Sequence, residues 1–183
     1  EELVSMHHQF YDMHCCSFRL GEIYGYSMGN LRFSNIMIRL ALAGKPFEVP
    51  HGADHPENCT YATDVGTAAV NAFKNKPVHS VYNLTGTGAN VDNYLTLQQQ
   101  AEVIAKVIPE ANLRIGPGMV PGGSYAVSYV RARISAEYAE RDIGYTITPY
   151  EQGIRETVGW MKKNWDMVPR RYFEALPPEW IAK

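Results

Sequence analysis

No unbroken apolar run in the 183 residues is long enough to cross a bilayer, and the longest helical stretch, Ile36 to Ala43, is interrupted by Arg39. Basic runs are missing too, because 17 Lys and Arg are scattered among 19 Asp and Glu for a formal net charge of -2. Neutralising a string of phosphates takes clustered cations, so nucleic acid is not an expected partner. Cysteine is scarce: the 3 residues give an odd count, and the neighbours Cys15 and Cys16 do not easily close an ordinary disulfide. The expectation is free thiols in a reducing cytoplasm. Glu1 and Glu2 stand where a secretory leader would be basic. Internal repeats, low-complexity tracts and a Gly-x-Ser-x-Gly nucleophile elbow are absent as well.

What is present is a chain 45% hydrophobic and 20% charged, enough for one sizeable core and too short for two ordinary domains. Leu3, Met6, Phe10 and Met13 recur at helical spacing and predict a helix over Glu2 to His14. It starts without a cap, as a helix cut from something upstream would. Cys15 to Leu20 reads as a short buried strand, followed by a glycine loop through Gly21, Gly25 and Gly29. Ser34 is the expected cap of a helix carrying Ile36, Leu40 and Ala43, which ends at Gly44, Lys45 and Pro46. Phe47 to Val49 and Cys59 to Ala62 are strand candidates on either side of a polar loop.

Thr63 or Asp64 is the expected cap of a helix over Val65 to Lys74, with Val65, Ala69, Val70 and Phe73 as its core stripe. Val78 to Leu84 reads as the best strand. Thr96 caps a helix through Ala101, Ile104, Ala105 and Ile108, which Pro109 stops. Leu113 to Ile115 reads as a strand and Gly116 to Ser124 as a loop, and Ser135 caps a short helix that Gly144 ends. Thr148, Pro149 and Glu151 form the signature of a capping box ahead of a helix with Ile154, Val158 and Met161 on one face. Residues 167–183 read as a tail with Tyr172, Phe173 and Trp180 as anchors. Strands alternating with helices give an α/β class.

Three clusters invite a chemical reading. His7 and His14 lie two helical turns apart, too far for a helical zinc pair. His51, Asp54, His55 and Glu57 mix metal-ligand types in one loop, and a solvated polar loop is the blander account of them. A metal hydrolase is the function that loop would imply. Leu84-Thr85-Gly86-Thr87-Gly88 follows a strand, yet it lacks a third glycine and a Lys-Ser/Thr pair, and the next helix starts too late to hold a pyrophosphate. A turn with positive backbone angles is the expectation there.

Five phrases in order resemble the extended short-chain dehydrogenases/reductases, the NAD(P)-dependent epimerase/dehydratase family. Phe18 to Gly25 is similar to the family's Arg-x-x-x-Val-Tyr-Gly strand and loop, and Ile38 to Pro46 to its Ala-Leu-x-Gly-x-Pro helix end. Tyr61-Ala62-Thr63-Asp64-Val65 resembles Tyr-Val-Asp-Asp-Val, and Val81-Tyr82-Asn83-Leu84 resembles Val-Tyr-Asn-Val. Asp142 to Tyr145, followed by Pro149 and Glu151 through Trp160, resembles the closing Leu-Gly-Tyr-x-Pro and Glu-Gly-Ile-x-x-Thr-Val-x-Trp.

The resemblance implies the C-terminal part of a Rossmann-type NAD(P)-binding fold plus a small α/β substrate-binding region, over residues 1–166. It puts Glu2 just after the Tyr-x-x-x-Lys motif, so the catalytic pair and the glycine fingerprint would lie upstream, and no catalytic residue is expected within the chain. Leu20 and Ile23 become candidate neighbours of NAD or NADP, while Glu22, Tyr24, Glu57 and Asn58 become candidate substrate contacts. Arg19 is expected to be structural, paired with a carboxylate or carbonyls. The resemblance also implies a homodimer through the N-terminal helix.

Departures bear on the substrate. Sugar-nucleotide members carry an arginine where Pro56-Glu57-Asn58-Cys59-Thr60 stands, an Asn where Glu22 stands, and an Arg-x-Gly-Asp where Val120 to Ser124 has no arginine until Arg131. Carboxylates repel a diphosphate, so the expectation tilts to a small uncharged or cationic substrate. A non-catalytic binding or assembly module is the competing class.

Overall fold

The computed structural model describes residues 1–26, 32–120 and 132–168. Along the chain run α1 (Glu2–Tyr11), β1 (Ser17–Leu20), β2 (Glu22–Tyr24), α2 (Phe33–Leu42), β3 (Phe47–Val49), β4 (Pro56–Tyr61) and α3 (Ala62–Asn75). Then come β5 (Val81–Leu84), β6 (Tyr94–Thr96), α4 (Leu97–Val107), β7 (Leu113–Ile115), α5 (Glu137–Ile143), α6 (Tyr150–Lys163) and a 3-10 turn, Trp165–Met167. The α/β class follows from this alternation, with parallel pairs β1-β5 and β3-β7 and a three-stranded sheet in the order β2-β4-β6. Of the expected loop after Leu113 to Ile115 only residues to 120 are described. Gly29, Arg131 and the anchors Tyr172, Phe173 and Trp180 lie outside the described residues.

The chain divides into two compact units, each assembled from three separated stretches: 1–23, 58–94 and 133–149, and 24–57, 95–132 and 150–183. No linear composition shift marks such a division.

In the first unit the parallel ladder runs from Ser17 opposite Val81 to Leu20 opposite Leu84. Its core gathers Ala68, Ala72, Tyr82, Leu84, Ala139, Ile143 and Tyr145. The buried face of α3 is Asp64, Ala68 and Ala72, which corrects the expected stripe, since Phe73 is 92% exposed and Val70 is exposed as well. Small residues let α5 approach α3 closely, and the large apolar ones were left on the outer side. Neither Thr63 nor Asp64 caps α3, whose N-cap is Tyr61 without a side-chain bond. α1 ends three residues early, where Asp12 takes a left-handed conformation (φ 52°), and it buries none of its residues. β1 is shorter than expected and its last two residues are exposed.

In the second unit α2, α4 and α6 pack together, with β3 and β7 alongside. Every residue from Phe33 to Ala41 is buried, including Arg39, whose Nε donates to the Asn35 carbonyl at 3.0 Å. A helix buried all round cannot show the one-sided pattern of a surface helix. Ser34 sits inside α2 and does not cap it. Thr96 does cap α4, in a reciprocal box with Gln99. The box expected at Thr148 is not made: its hydroxyl donates to Asp64 Oδ1, and Glu151 pairs with Lys106 and Arg155.

Candidate cofactor and substrate wall

β1 ends at Leu20, whose side chain is 48% exposed at the carboxyl end of a parallel pair. Open α/β sheets bind ligands at the carboxyl ends of their strands. Gly21 continues the ladder by donating its N–H to the Leu84 carbonyl at 3.0 Å. It must be glycine, because a Cβ there would meet Thr60 Oγ1 and the Asn58 carbonyl. Leu20, Gly21 and Asn58 are thus brought together, with the half-buried Glu22 and Ile23 next in the chain. Asn58 is buried, and its Oδ1 accepts the Ile134 N–H at 3.1 Å. Arg19 sends Nε and Nη2 to the two carboxylate oxygens of Glu1 at 2.7 and 2.6 Å, the expected pairing with a carboxylate.

The other candidates belong to the second unit. Tyr24 is buried, edge-on to Tyr150 with ring centroids 5.0 Å apart, and its hydroxyl reaches the space over Gly153 that a Cβ would fill. Glu57 is 3% exposed. Its Oε2 accepts from Gln100 Nε2 at 3.2 Å, and burial raises its carboxyl to about 7, with the Gln100 bond and Arg32 acting in the opposite sense. Sequence reasoning missed Ser34, Gln100 and Tyr150 around it. The signal was available in a Ser and a Gln on otherwise apolar helix faces.

The mixed-ligand loop does not converge. His51 is exposed, Asp54 Oδ2 accepts the Gly118 N–H at 2.9 Å, Glu57 turns to Gln100, and burial lowers the His55 imidazole. Among the described residues no group of three or more His, Cys, Asp or Glu is placed to hold a metal ion. Cys15 and Cys16 are half-buried and Cys59 is buried, all three as free thiols, and burial raises the Cys16 thiol.

The glycine turn after β5 is closed by the protein itself. Glu140 Oε2 accepts the Ala89 N–H at 2.8 Å, and the same carboxylate fills the space beside Gly88. A carboxylate in that place excludes a phosphate. Gly86 presses on the Cys59 carbonyl, and neither glycine has a positive φ. Close approach, and not backbone angle, is the reason for glycine here.

No protein-family model matches the chain, and no curated protein matches its sequence. Solved structures do match. An epimerase from Methanothermobacter thermautotrophicus superposes with a TM-score of 0.73 and 15% identity, over 93% of this chain and 49% of that one. A dTDP-glucose 4,6-dehydratase from Bacillus anthracis, solved with NAD, gives 0.69 and 21% over 91% and 50%. The fold is that of these epimerase and dehydratase structures. A UDP-N-acetylglucosamine 4-epimerase from Bacillus cereus is similar in the same way, at 0.68 and 15% over 86% and 52%. The chain therefore spans about half the length of the solved structures it matches. In the described residues no helix is long and apolar enough to cross a membrane.

Proposed function

We propose that this chain is the substrate-binding part of an NAD(P)-dependent oxidoreductase or epimerase of the epimerase/dehydratase type. The observation that carries the reading is Leu20, an apolar side chain left half exposed at the carboxyl end of a parallel strand pair. An apolar wall at that place fits the nicotinamide end of a dinucleotide, whereas the one glycine turn that resembles a phosphate cradle is filled by Glu140. NAD or NADP supplies hydride chemistry when bound. This chain's part is to wall the cofactor with Leu20 and Ile23 and to face the substrate with Glu22. Asn58 holds the wall in place through Ile134 and the backbone packed on Gly21. The catalytic Tyr and Lys and the dinucleotide fingerprint belong to the rest of the protein.

The substrate is a small molecule. Burial of Glu57 takes one of two carboxylates out of the argument against a diphosphate, so Glu22 alone supports an uncharged or cationic substrate. Support for a homodimer comes from α1, where Leu3 and Phe10 are each 71% exposed on a helix that buries nothing within this chain.

The test is a titration of the full gene product with NAD, NADP, nucleotide sugars and small hydroxy or keto compounds. Dinucleotide binding by the full product, joined by a small hydroxy or keto compound and not by UDP-sugars, is the expected result. A full product that binds no dinucleotide would instead be a binding or assembly module.

A further inference from the structure

The interior of the second unit holds a row of polar side chains that the reading above does not use. Ser34 on α2 donates its hydroxyl to Gln100 Oε1 on α4 at 2.8 Å, and Ser34 Oγ lies 2.8 Å from the Tyr150 hydroxyl at the start of α6. Gln100 Nε2 in turn reaches Glu57 Oε2 on β4 at 3.2 Å and the Leu95 carbonyl at 3.3 Å. All four side chains are buried, none more than 4% exposed.

Proton counting gives the row a direction. A serine hydroxyl has one proton, and Gln100 Oε1 can only accept, so the Ser34 proton is committed to Gln100. In the contact with Ser34 the donor must therefore be Tyr150. Gln100 then gives an N–H to the carboxylate. The protons that link the four side chains point one way, from Tyr150 through Ser34 and Gln100 to Glu57, while Gln100 also gives an N–H to the Leu95 carbonyl. A charge at the accepting end polarises each bond in such a row, and its removal relaxes them together. At the donating end the Tyr150 ring is the edge-on partner of Tyr24, which is floored by Gly153.

We propose that Glu57 is a positioning residue: through Gln100, Ser34 and Tyr150 its charge state sets the seat of Tyr24, and thereby the substrate wall. This rests on the reading of the β2 segment as that wall, and it replaces direct substrate contact by Glu57 and Tyr24. Burial holds the Glu57 carboxyl near neutrality, which places the change of state in a physiological range. The groups acting on it are Arg32, ahead of α2, which favours the charged form, and Gln100 from α4, which does the same. From α6 Tyr150 joins it through the row. On its own segment His55 is itself held toward the neutral form by burial. Arg39 on α2 is buried and donates to the Asn35 carbonyl.

The experiment is ring-carbon NMR of the tyrosines in the full gene product from acid to alkaline pH. The signals of interest are assigned among the tyrosines with Tyr150→Phe and Tyr24→Phe. The wild type is expected to show both signals moving in one common transition near neutrality. Glu57→Gln, which keeps shape and acceptor, abolishes the transition. Ser34→Ala keeps the Glu57 titration but uncouples both tyrosines from it, and Glu57→Asp restores a displaced transition. A transition that persists in Glu57→Gln, or tyrosine signals that stay still while Glu57 titrates, overturns the proposal. These signals need neither cofactor nor substrate, so failure of the proposed function would appear separately, as absent dinucleotide binding with the transition intact.

Discussion

Thr148 gives both its N–H and its hydroxyl to Asp64, at 2.8 Å to one carboxylate oxygen and 2.7 Å to the other. The pair ties the first turn of α3 to the segment that leads into α6. Removing the acceptor leaves two donors in a part-buried place, and unmet donors there cost more than a bond contributes. Asp64→Ala is expected to destabilise the protein by about 2 to 3 kcal/mol, and Thr148→Val by about 1 kcal/mol. Denaturant unfolding of both variants checks this. Equal effects, or an effect below about 0.5 kcal/mol for Asp64→Ala, would show that the contact is not structural.

Two glycines should respond in opposite directions. Gly66 lies in α3 with nothing within 4 Å of an added Cβ, so Gly66→Ala should stabilise by about 0.5 to 1 kcal/mol. Gly86→Ala drives a methyl into the Cys59 carbonyl, a backbone atom that cannot swing aside, and should cost upward of about 2 kcal/mol. Thermal melts of the two variants should move apart, upward and downward.

The legible parts of the fold were those whose signals are local. Thr96 announces α4, Gly144 ends α5 in a left-handed conformation (φ 65°), and Ile154, Val158 and Met161 mark the buried face of α6. Where local rules failed, a distant partner had won. Asp64 and Thr148 both look like helix caps, yet each satisfies the other across 84 positions of sequence. Ser34 looks like a cap because serine usually is one, but Gln100 and Tyr150 claim its hydroxyl. The three-residue strands β2 and β6 were not seen, whereas β3 and β7, equally short, were, because apolar residues flank a charged one in Phe47-Glu48-Val49 and Leu113-Arg114-Ile115. In the site, the resemblance named Leu20 as a candidate cofactor neighbour, but its exposure was not legible, since Cys15 to Leu20 reads as a buried strand. Nor was the burial of Tyr24 and Glu57, since it depends on α4 and α6.

The Glu57 carboxyl also makes stability depend on pH. Its folded value, about 7, lies above the ordinary 4.5, so the protonated form is favoured by folding. The contribution is whole below about 4.5, shrinks as pH rises, and is lost once pH passes the folded value. The shift corresponds to about 3 kcal/mol between those limits. Unfolding curves at a series of pH values should show this fall in the wild type and a flatter profile in Glu57→Gln. Parallel profiles would contradict it.

α1 offers a test of assembly. Phe10 is 71% exposed, so Phe10→Ser should change the unfolding of the 183-residue chain by no more than about 0.5 kcal/mol. In the full gene product the same change is expected to shift the mass in solution from dimer toward monomer, read by light scattering. A variant that stays fully dimeric would remove α1 from the interface.

The central claim is that Leu20 walls a nicotinamide cofactor that this chain does not hold by itself. Calorimetric titration of NAD and NADP into the full gene product, its Leu20→Asp variant and the isolated 183-residue chain tests it most directly. The account predicts binding by the full product, a loss of at least about tenfold, or about 1.4 kcal/mol, in Leu20→Asp, and no detectable binding by the isolated chain. Undiminished binding by Leu20→Asp, or micromolar binding by the isolated chain, would contradict it.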